Sequence, residues 1–586
     1  MSNLRSSSMA QGSNGAPAVS KTIKSRMLND EQVKTNIVEG RFRVGWPRLV
    51  PQPTRTRLVA NQNYYIKDYE ERLPVFTAIL SSQGIIYSKC CLVERKAAGT
   101  SHSSYLTLLV EASSREGTWC NAVLQLVRVL ETIVINHDGP IHVEIIERGL
   151  DDPRVLPVGA SDAMLPIWQN LAPSVIQTLS EFPVHWKLLS LVKIGYGVPG
   201  DQTKQPVTTV LVEAWDADED IWELEIVPRL SALIADTGIP NLEIWQAYKY
   251  SKEEWCENVS RLPERTWWEK PLRIGDGLGP WGSPSTGTLG GIVIIEDLVK
   301  GERTKCLLTN SHVVRNCPGL TSQSNKALKS LDIVATQSDR IVNSPTESDV
   351  ARKIKLLQTE IKHLKMVISH RLPGGSHRFV ADRLKMVKDL EDQVRRLSDN
   401  AQFTAGCVRA LSGFQNLFGP DNDKSIALDW ALVQVCPSRP VNTQFSRDNQ
   451  TQGSLDMPFW TRWGEFERWK KISSFKSGNV LKVGRATGWT SGGLNYARAW
   501  LNVRSEECGT VVECMRVENP RRQWHPFSVG GDQGSMIFDA SDGACVGLLF
   551  SGDEGQTYGL ITPIEDVFHS IEEITGCKVV LPRLVS

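Results

Sequence analysis

The sequence predicts a multidomain protein, in which an N-terminal α+β domain precedes a C-terminal all-β barrel domain that carries an inserted α-helical hairpin. At 586 residues the chain is too long for one ordinary hydrophobic core. A β-β-α-β pattern occurs twice within residues 41–265. From residue 286, short apolar runs separated by Gly and polar turns continue almost to the end, which is typical of a barrel. Two heptad-like runs interrupt them at 346–400 and predict the hairpin.

The composition narrows the class of protein. It is that of a globular chain, with 41% hydrophobic and 23% charged residues. The 66 basic and 66 acidic residues cancel, so a nucleic-acid partner is unlikely. No apolar run is long enough to span a membrane, and residues 1–20 lack the apolar core of a signal peptide. The twelve cysteines have no framework spacing, so we expect free thiols in an intracellular compartment, the cytoplasm or nucleus.

Metal and cofactor sites are not expected. Cys306, His312 and Cys317 lie close together in sequence, but their spacing fits no common zinc motif. The glycines from Gly484 to Gly488 are not followed by the lysine of a phosphate-binding loop.

The N-terminal region divides into a tail and two similar units. Residues 1–40 are polar and without periodicity, so we expect a disordered tail and order from about Phe42. Each unit of the α+β domain is predicted to hold two strands, a helix and a third strand. The first comprises 85–94, 105–111, 119–136 and 142–146, and the second comprises 186–196, 208–214, 222–236 and 242–246. Leu108–Ala112 matches Val210–Ala214 most closely, and no recognisable chemistry accompanies either unit, which favours a scaffold or partner-binding module.

Two further segments lie outside these units. Residues 266–285 are rich in Gly, Pro and Trp and predict a linker. The hairpin at 346–400 has apolar residues at alternating steps of four and three, on both sides of Pro373-Gly374-Gly375. It is more basic than acidic. A solvated coiled-coil face is the simplest interpretation, and a protein-docking arm or a nucleic-acid contact are the alternatives.

Four motifs follow one another in the barrel region. An apolar strand ends in Thr309-Asn310-Ser311-His312-Val313, and Asp429-Trp430-Ala431-Leu432 opens another. Gly484-Arg485-Ala486-Thr487-Gly488 precedes Gly531-Asp532-Gln533-Gly534-Ser535. Taken singly, His312 could be a core histidine, Asp429 a turn residue, and Gly531 and Gly534 mere turn glycines.

In this order the motifs resemble those of trypsin-like serine peptidases, over about residues 286–580, and most of all fungal members with long N-terminal regions. The resemblance implies a chymotrypsin-fold double β-barrel across 286–586. It implies that His312 is the general base and that Asp429 orients it. It assigns the oxyanion hole to the N–H groups of Gly531 and Gln533, and the substrate pocket to Phe527 and Gly552. The sequence departs from the family where Gln533 stands at the position of the nucleophilic serine.

This departure predicts a pseudoenzyme. The nitrogen of a primary amide is not basic, and imidazole cannot deprotonate it, so Gln533 cannot attack a carbonyl. Loss of a triad serine costs about six orders of magnitude in turnover. We expect the Gln533 amide to plug the site, with its nitrogen bonded to His312 and its oxygen in the oxyanion hole.

Two functions therefore compete. The first is a catalytically inactive peptidase homologue that binds a peptide or protein partner or acts as a scaffold. The alternative is an active serine endopeptidase that uses Ser535 or another nucleophile. The sequence does not identify a partner or an oligomeric state.

Overall fold

The computed structural model describes residues 29–98, 104–113, 118–137, 139–151, 153–195, 205–247, 271–317, 320, 340–369, 377–398, 403–413, 415–418, 425–443, 468–504, 509–519, 526–553 and 558–582. These residues divide into two compact units. The first comprises Met1–Val50, Thr56–Lys96 and Ser103–Arg148, and the second comprises Pro51–Arg55, Ala97–His102 and Gly149–Ser586.

The first unit is a mixed sheet covered by helices. Its elements are α1 (Asp30–Thr35), β1 (Val38–Glu39), β2 (Arg43–Trp46), β3 (Thr54–Leu58), α2 (Tyr69–Ser82), β4 (Tyr87–Ala97), β5 (Tyr105–Ala112), α3 (Trp119–Ile133) and β6 (His142–Glu147). The sheet has the order β1-β2-β6-β5-β4-β3. Alternate residues of β5, including Leu108 and Val110, share one apolar cluster with the buried stripe of α3. The period-2 and period-3.6 patterns thus meet in one core.

The predicted disordered tail extended too far. Residues 1–28 lie outside the described residues, but α1 and β1 lie within the segment 1–40. The Asn29 side chain accepts a hydrogen bond from Gln32 N–H, and the Gln32 side chain accepts one from Asn29 N–H, which completes a capping box. Val33 is fully buried in the cluster of α2 and α3, and this contact orders a helix of six residues.

The second unit begins with a copy of the same arrangement. Its elements are β7 (Arg154–Leu156), α4 (Met164–Ser180), β8 (Trp186–Gly195), β9 (Val207–Ala214), the π-helical turn Trp222–Ile226 continued by α5 (Val227–Ile234), and β10 (Asn241–Gln246). β9 pairs antiparallel with β8 and parallel with β10, as β5 does with β4 and β6. The structure adds a helix before each pair of strands, α2 and α4, which the sequence analysis missed. Both contain an internal proline, Pro74 and Pro173.

The remaining elements form most of the second unit. The strands are β11 (Leu272–Arg273), β12 (Gly277–Pro280), β13 (Gly287–Thr288), β14 (Gly291–Asp297), β15 (Glu302–Thr309), β16 (Ile341–Asn343), β17 (Thr404–Leu411), β18 (Gln415–Phe418), β19 (Ser425–Leu428), β20 (Ala431–Val435), β21 (Val441–Asn442), β22 (Asn479–Gly484), β23 (Gly488–Arg504), β24 (Gly509–Glu518), β25 (Met536–Asp539), β26 (Cys545–Gly552), β27 (Tyr558–Pro563) and β28 (Lys578–Val580). The helices are α6 (Ser311–Val314), α7 (Glu347–Ser369), α8 (His377–Leu397) and α9 (Ile564–Thr575). This part of the chain is mostly β, as predicted.

Two sheets contain most of these strands, and β11 pairs separately with β21. One has the order β13-β12-β16-β17-β20-β15-β14-β28. The other has the order β10-β9-β8-β23-β22-β25-β26-β27-β24-β19-β18, and an additional β23–β24 pairing closes six of its strands into a barrel. One apolar cluster contains residues from both sheets, among them Leu308 and Met536, together with Ile571 of α9.

The second β-β-α-β unit belongs to this barrel sheet. β8 pairs antiparallel with β23, at Leu189↔Trp500 and Leu188↔Leu501. The compact units accordingly divide the chain after Arg148, and not near residue 265 where the α+β domain was predicted to end. Local pattern could not reveal a pairing between strands about three hundred residues apart.

The predicted linker is also part of the fold. Within residues 271–285, β12 pairs with β13 and β16. Leu272 and Leu278 are fully buried. A Cβ on Gly279 would lie 2.5 Å from the Ser285 carbonyl oxygen, so the glycines that indicated a linker permit close packing instead.

The inserted segment forms two helices, α7 and α8. Leu357, Ile361 and Leu364 of α7 are buried with Val387 and Leu390 of α8. The turn predicted at 373–375 lies outside the described residues. None of the described helices is sufficiently long and apolar to cross a bilayer.

Candidate functional site

Strand pairing brings His312 and Asp429 together. β15 pairs with β20 up to Thr309↔Ala431, so the turn after β15 lies beside the residues before β20. His312 Nδ1 is 2.5 Å from Asp429 Oδ2, and the His312 N–H donates to Asp429 Oδ1 at 3.0 Å. The Asn310 side chain donates to the Asp429 carbonyl oxygen at 2.5 Å. The two predicted residues therefore form a hydrogen-bonded pair.

The geometry sets the role of each ring nitrogen. The Asp429 side chain is 2% exposed and that of His312 is 31% exposed. A carboxylate only accepts hydrogen bonds, so Nδ1 carries a proton, and in the neutral ring Nε2 is then the nitrogen with the lone pair. Orientation of imidazole by a buried carboxylate is the arrangement that general-base catalysis requires.

The loop that carries Gln533 is built on two glycines with positive φ, 95° at Gly531 and 94° at Gly534. A Cβ on Gly534 would lie 2.4 Å from Thr309 Oγ1, so this glycine allows the loop to pack against the end of β15. Thr288 N–H donates to the Gln533 carbonyl oxygen at 2.8 Å, and Thr288 Oγ1 donates to that of Gly531 at 2.9 Å. The loop is therefore hydrogen-bonded to β13 and packs against the end of β15, the strand that leads to His312.

The Gln533 side chain turns back onto its own loop. Gly531 N–H donates to Gln533 Oε1 at 2.8 Å. An amide oxygen thus occupies the backbone donor that the resemblance assigns to the oxyanion hole. The expected contact with the imidazole is not formed: among the described residues, the His312 ring hydrogen-bonds only to Asp429. A bond to an N–H two residues away needs little chain ordering, which favours the local partner.

Asp532 anchors the loop from within, a role that the sequence analysis missed. Its carboxylate accepts hydrogen bonds from the N–H groups of Val529, Ala486 and Thr487, from Thr487 Oγ1 at 2.7 Å and from Lys482 Nζ at 3.0 Å. Lys482 and Asp532 have no exposed side-chain surface. Burial lowers the pKa of Lys482, and the Asp532 carboxylate opposes that shift. A lysine within the apolar run Val480–Val483 was the available signal.

Ser535 lies on the far side of the loop from solvent. It is fully buried, and its Oγ donates to the Asp532 carbonyl oxygen at 2.6 Å. Among the described residues, no hydrogen bond joins Ser535 to His312. The hydroxyl is therefore engaged in the structure of the loop.

The predicted pocket residues have different environments. Phe527 is fully buried and belongs to an apolar cluster with Val517, Leu549 and Ile561. Cβ atoms on Gly492 and Gly559 would approach its ring to 2.9 and 3.1 Å. Phe527 therefore packs as a core residue without exposed surface, and its assignment to the pocket stays a prediction. Gly552 is partly exposed at the end of β26, where its Cβ would lie 3.0 Å from Ser528 Oγ.

The two cysteines near His312 do not face one site. Cys306 packs in the cluster shared by the two sheets, and Cys317 packs in the core of the eight-stranded sheet. Burial raises the pKa of each thiol to about 12.

The loop around Gln533 also lies within a segment that resembles known proteins. Residues 457–580 match the family model of peptidase family S64. The match covers about a fifth of the chain and includes Phe527, Gly531, Gln533 and Gly552. His312 lies outside it, as does Asp429, so only the fold connects this pair to the matched segment.

A solved structure is also similar. It is described as "A glutamic acid specific serine protease utilizes a novel histidine triad in substrate binding". The two sequences are 12% identical. The match covers 53% of this chain and 100% of that chain, with a TM-score of 0.26. No curated protein matches this chain.

Proposed function

We propose that this chain is a trypsin-like serine peptidase homologue that no longer hydrolyses peptides and that acts, inside the cell, as a binding or scaffold protein for a peptide or protein partner. The observation that carries the proposal is the hydrogen bond from Gly531 N–H to Gln533 Oε1. The Gln533 side chain accounts for two losses: it replaces the attacking hydroxyl, and its oxygen occupies the Gly531 N–H group of the oxyanion hole.

Both losses act on the same step. In hydrolysis, the attacking hydroxyl gives its proton to imidazole while backbone N–H groups stabilise the oxyanion. The Gln533 amide cannot supply that nucleophile. Removal of one oxyanion donor alone typically costs about 10²–10³ in turnover. The preserved pair of His312 and Asp429 cannot compensate, since it has no hydroxyl to activate.

The environment of Ser535 disfavours the alternative of an active endopeptidase. Attack by this residue would require it to leave its bond with the Asp532 carbonyl oxygen and turn out of a fully buried position. That rearrangement would also break the loop that supplies the oxyanion donors.

A fluorophosphonate probe tests the proposal. The wild-type chain should not be labelled. Gln533→Ser should be labelled, because the hydroxyl returns beside the retained pair, and Gln533→Ser with His312→Ala should lose that labelling. Gln533→Ala is the matched control, which frees the oxyanion donor without supplying a nucleophile. Labelling of the wild type that disappears with Ser535→Ala would establish the endopeptidase instead.

Binding needs a separate test. Gly552 ends the strand that the resemblance assigns to peptide binding, and a side chain there would project beside Ser528 and Tyr558. We expect affinity capture with the whole chain to recover a partner that Gly552→Trp loses. Equal recovery by the two chains would place the binding surface elsewhere.

A further inference from the structure

The inserted hairpin is joined to the Gln533 loop at the first turn of α7. Thr346 precedes this helix, and its Oγ1 accepts a hydrogen bond from Asp349 N–H at 3.2 Å. The same hydroxyl lies 2.7 Å from Asp349 Oδ2, to which it donates. Both residues are buried. The start of the helix therefore fixes the Asp349 carboxylate in one orientation.

Asp349 holds Arg485 of the Gly484–Gly488 motif. Arg485 Nη1 donates to Asp349 Oδ1, and Nη2 donates to Thr286 Oγ1 at 3.1 Å. The Arg485 side chain is 14% exposed, and this ion pair is its only one among the described residues. A Cβ on Gly277 would lie 2.6 Å from Asp349 Oδ2 and 2.8 Å from Arg485 Cδ. The pair thus occupies a space that only glycine leaves open.

Arg485 in turn packs on the loop. A Cβ on Gly531 would lie 2.4 Å from Arg485 Nη2 and 3.1 Å from its Cζ, so the guanidinium covers this glycine directly. The Arg485 N–H donates to Thr288 Oγ1 at 3.0 Å, and that hydroxyl donates to the Gly531 carbonyl oxygen. The side chain of Arg485 therefore contacts both the hairpin and Gly531, and its backbone N–H is linked to the Gly531 carbonyl oxygen through Thr288 Oγ1.

We propose that Asp349 and Arg485 are positioning residues that couple the α7–α8 hairpin to the Gly531–Gln533 loop. The hairpin then regulates the site, because a displacement of its helices changes the position of the Gly531 N–H group that donates to Gln533. This deepens the proposed function by naming the regulation of the same site, and it rests on that function only for the labelling experiment below.

Hydrogen exchange of the whole chain tests the coupling without any activity. Asp349→Ala removes the carboxylate and leaves Arg485 without its counter-ion in a mostly buried position. We expect exchange of residues 526–536 to rise by at least about tenfold, while β8 and β9 retain wild-type protection. Asp349→Asn, which keeps the shape and can still accept from Thr346, should give a smaller rise. Glu391→Gln is the control, because it breaks only the exposed Lys365–Glu391 pair of the same hairpin.

The result that overturns the proposal is wild-type exchange of residues 526–536 in Asp349→Ala, with β8 and β9 protected. An equal rise in Glu391→Gln would contradict it too, since the effect would then not pass through Arg485. The second readout is the rate of fluorophosphonate labelling in the Gln533→Ser chain, which Asp349→Ala should lower and Glu391→Gln should leave unchanged. Labelling of the wild-type chain would contradict the proposed function, and absence of labelling in Gln533→Ser would mean that activity was lost through more than this residue. The exchange experiment decides the coupling in either case.

Discussion

Arg516 provides the sharpest test of how the second β-β-α-β unit is attached to the barrel. Its Nη1 donates to Glu213 Oε1 of β9 at 2.9 Å and to Ser190 Oγ of β8 at 3.2 Å. Its Nε lies 2.6 Å from Glu518 Oε1, although the N–H does not point at that oxygen, so this contact is ionic only. Tyr558 donates to Glu213 Oε2 at 2.7 Å. The cluster is buried and crosses from the repeat unit into the barrel.

Arg516→Met removes the cation of this cluster while keeping most of its volume. The buried side chains of Glu213 and Glu518 then lose their counter-ion. Breaking a buried ion pair in this way costs about 3–5 kcal/mol. We expect the loss to appear first where the repeat unit meets the barrel, at β8 and β9.

Native-state hydrogen exchange is the appropriate assay, because a chain of several units does not unfold in one step. In Arg516→Met, the opening free energy of β8 and β9 amides should fall by about 3–5 kcal/mol, up to the limit set by global unfolding. β5 and β6 of the first unit are the internal control. A double-mutant cycle with Glu213→Gln should recover part of the loss. A change below about 1 kcal/mol at β8 and β9, or an equal change at β5 and β6, would refute the reasoning.

Three further predictions follow from the second unit. Burial raises the pKa of Glu518 from 4.5 to about 7 despite Arg516, so the stability that this carboxyl group contributes is complete below about pH 4.5 and is lost as pH rises through 7. Glu518→Gln should remove up to about 3 kcal/mol of the resulting pH dependence in the opening free energy of β24 amides, measured by hydrogen exchange at pH 5 and pH 8, and an equal dependence in both chains would contradict it. Lys482→Met leaves Asp532 buried without its cation and should destabilise the 526–536 loop by about 3–5 kcal/mol in hydrogen exchange, whereas Lys471→Met, on a residue of the 468–504 segment that takes no part in this pair, should change nothing. Residues 271–586 expressed alone, which keep β11 and β12, should be insoluble or lack near-UV circular dichroism, because the β23 edge loses β8, while residues 149–586 should fold. A folded, soluble 271–586 fragment would show that the repeat unit is dispensable.

Sequence reasoning performed best where the chemistry is local. The turn after β15 and the loop with Gly531 and Gly534 need particular residues at particular positions, so short motifs identified them. The structure then placed His312 on Asp429 through the β15–β20 pairing. The burial of Phe527 was not foreseen, because the resemblance locates a position along the chain and not the packing around it.

The predicted boundaries of the linker and of the N-terminal tail were wrong because tertiary contacts order residues in both segments. Composition rich in Gly and Pro indicated a linker before residue 286, yet Gly277 and Gly279 form a buried strand. Polarity indicated a tail up to residue 40, yet one capping box and one buried Val33 order a short helix. In each case a tertiary contact outweighed a weak local preference.

The amino-acid sequence by itself determined which chemistry is available: a histidine, an acid and an amide where a hydroxyl would be needed. It also determined the two similar units and the helical insertion, since periodicity and punctuation are local properties. Only the tertiary structure decided that the Gln533 oxygen meets the Gly531 N–H, that Arg485 lies between this loop and the hairpin, and that the second unit extends the barrel sheet. Those outcomes depend on contacts between residues far apart in the chain, whose free energies arise from burial and charge pairing once the strands have met.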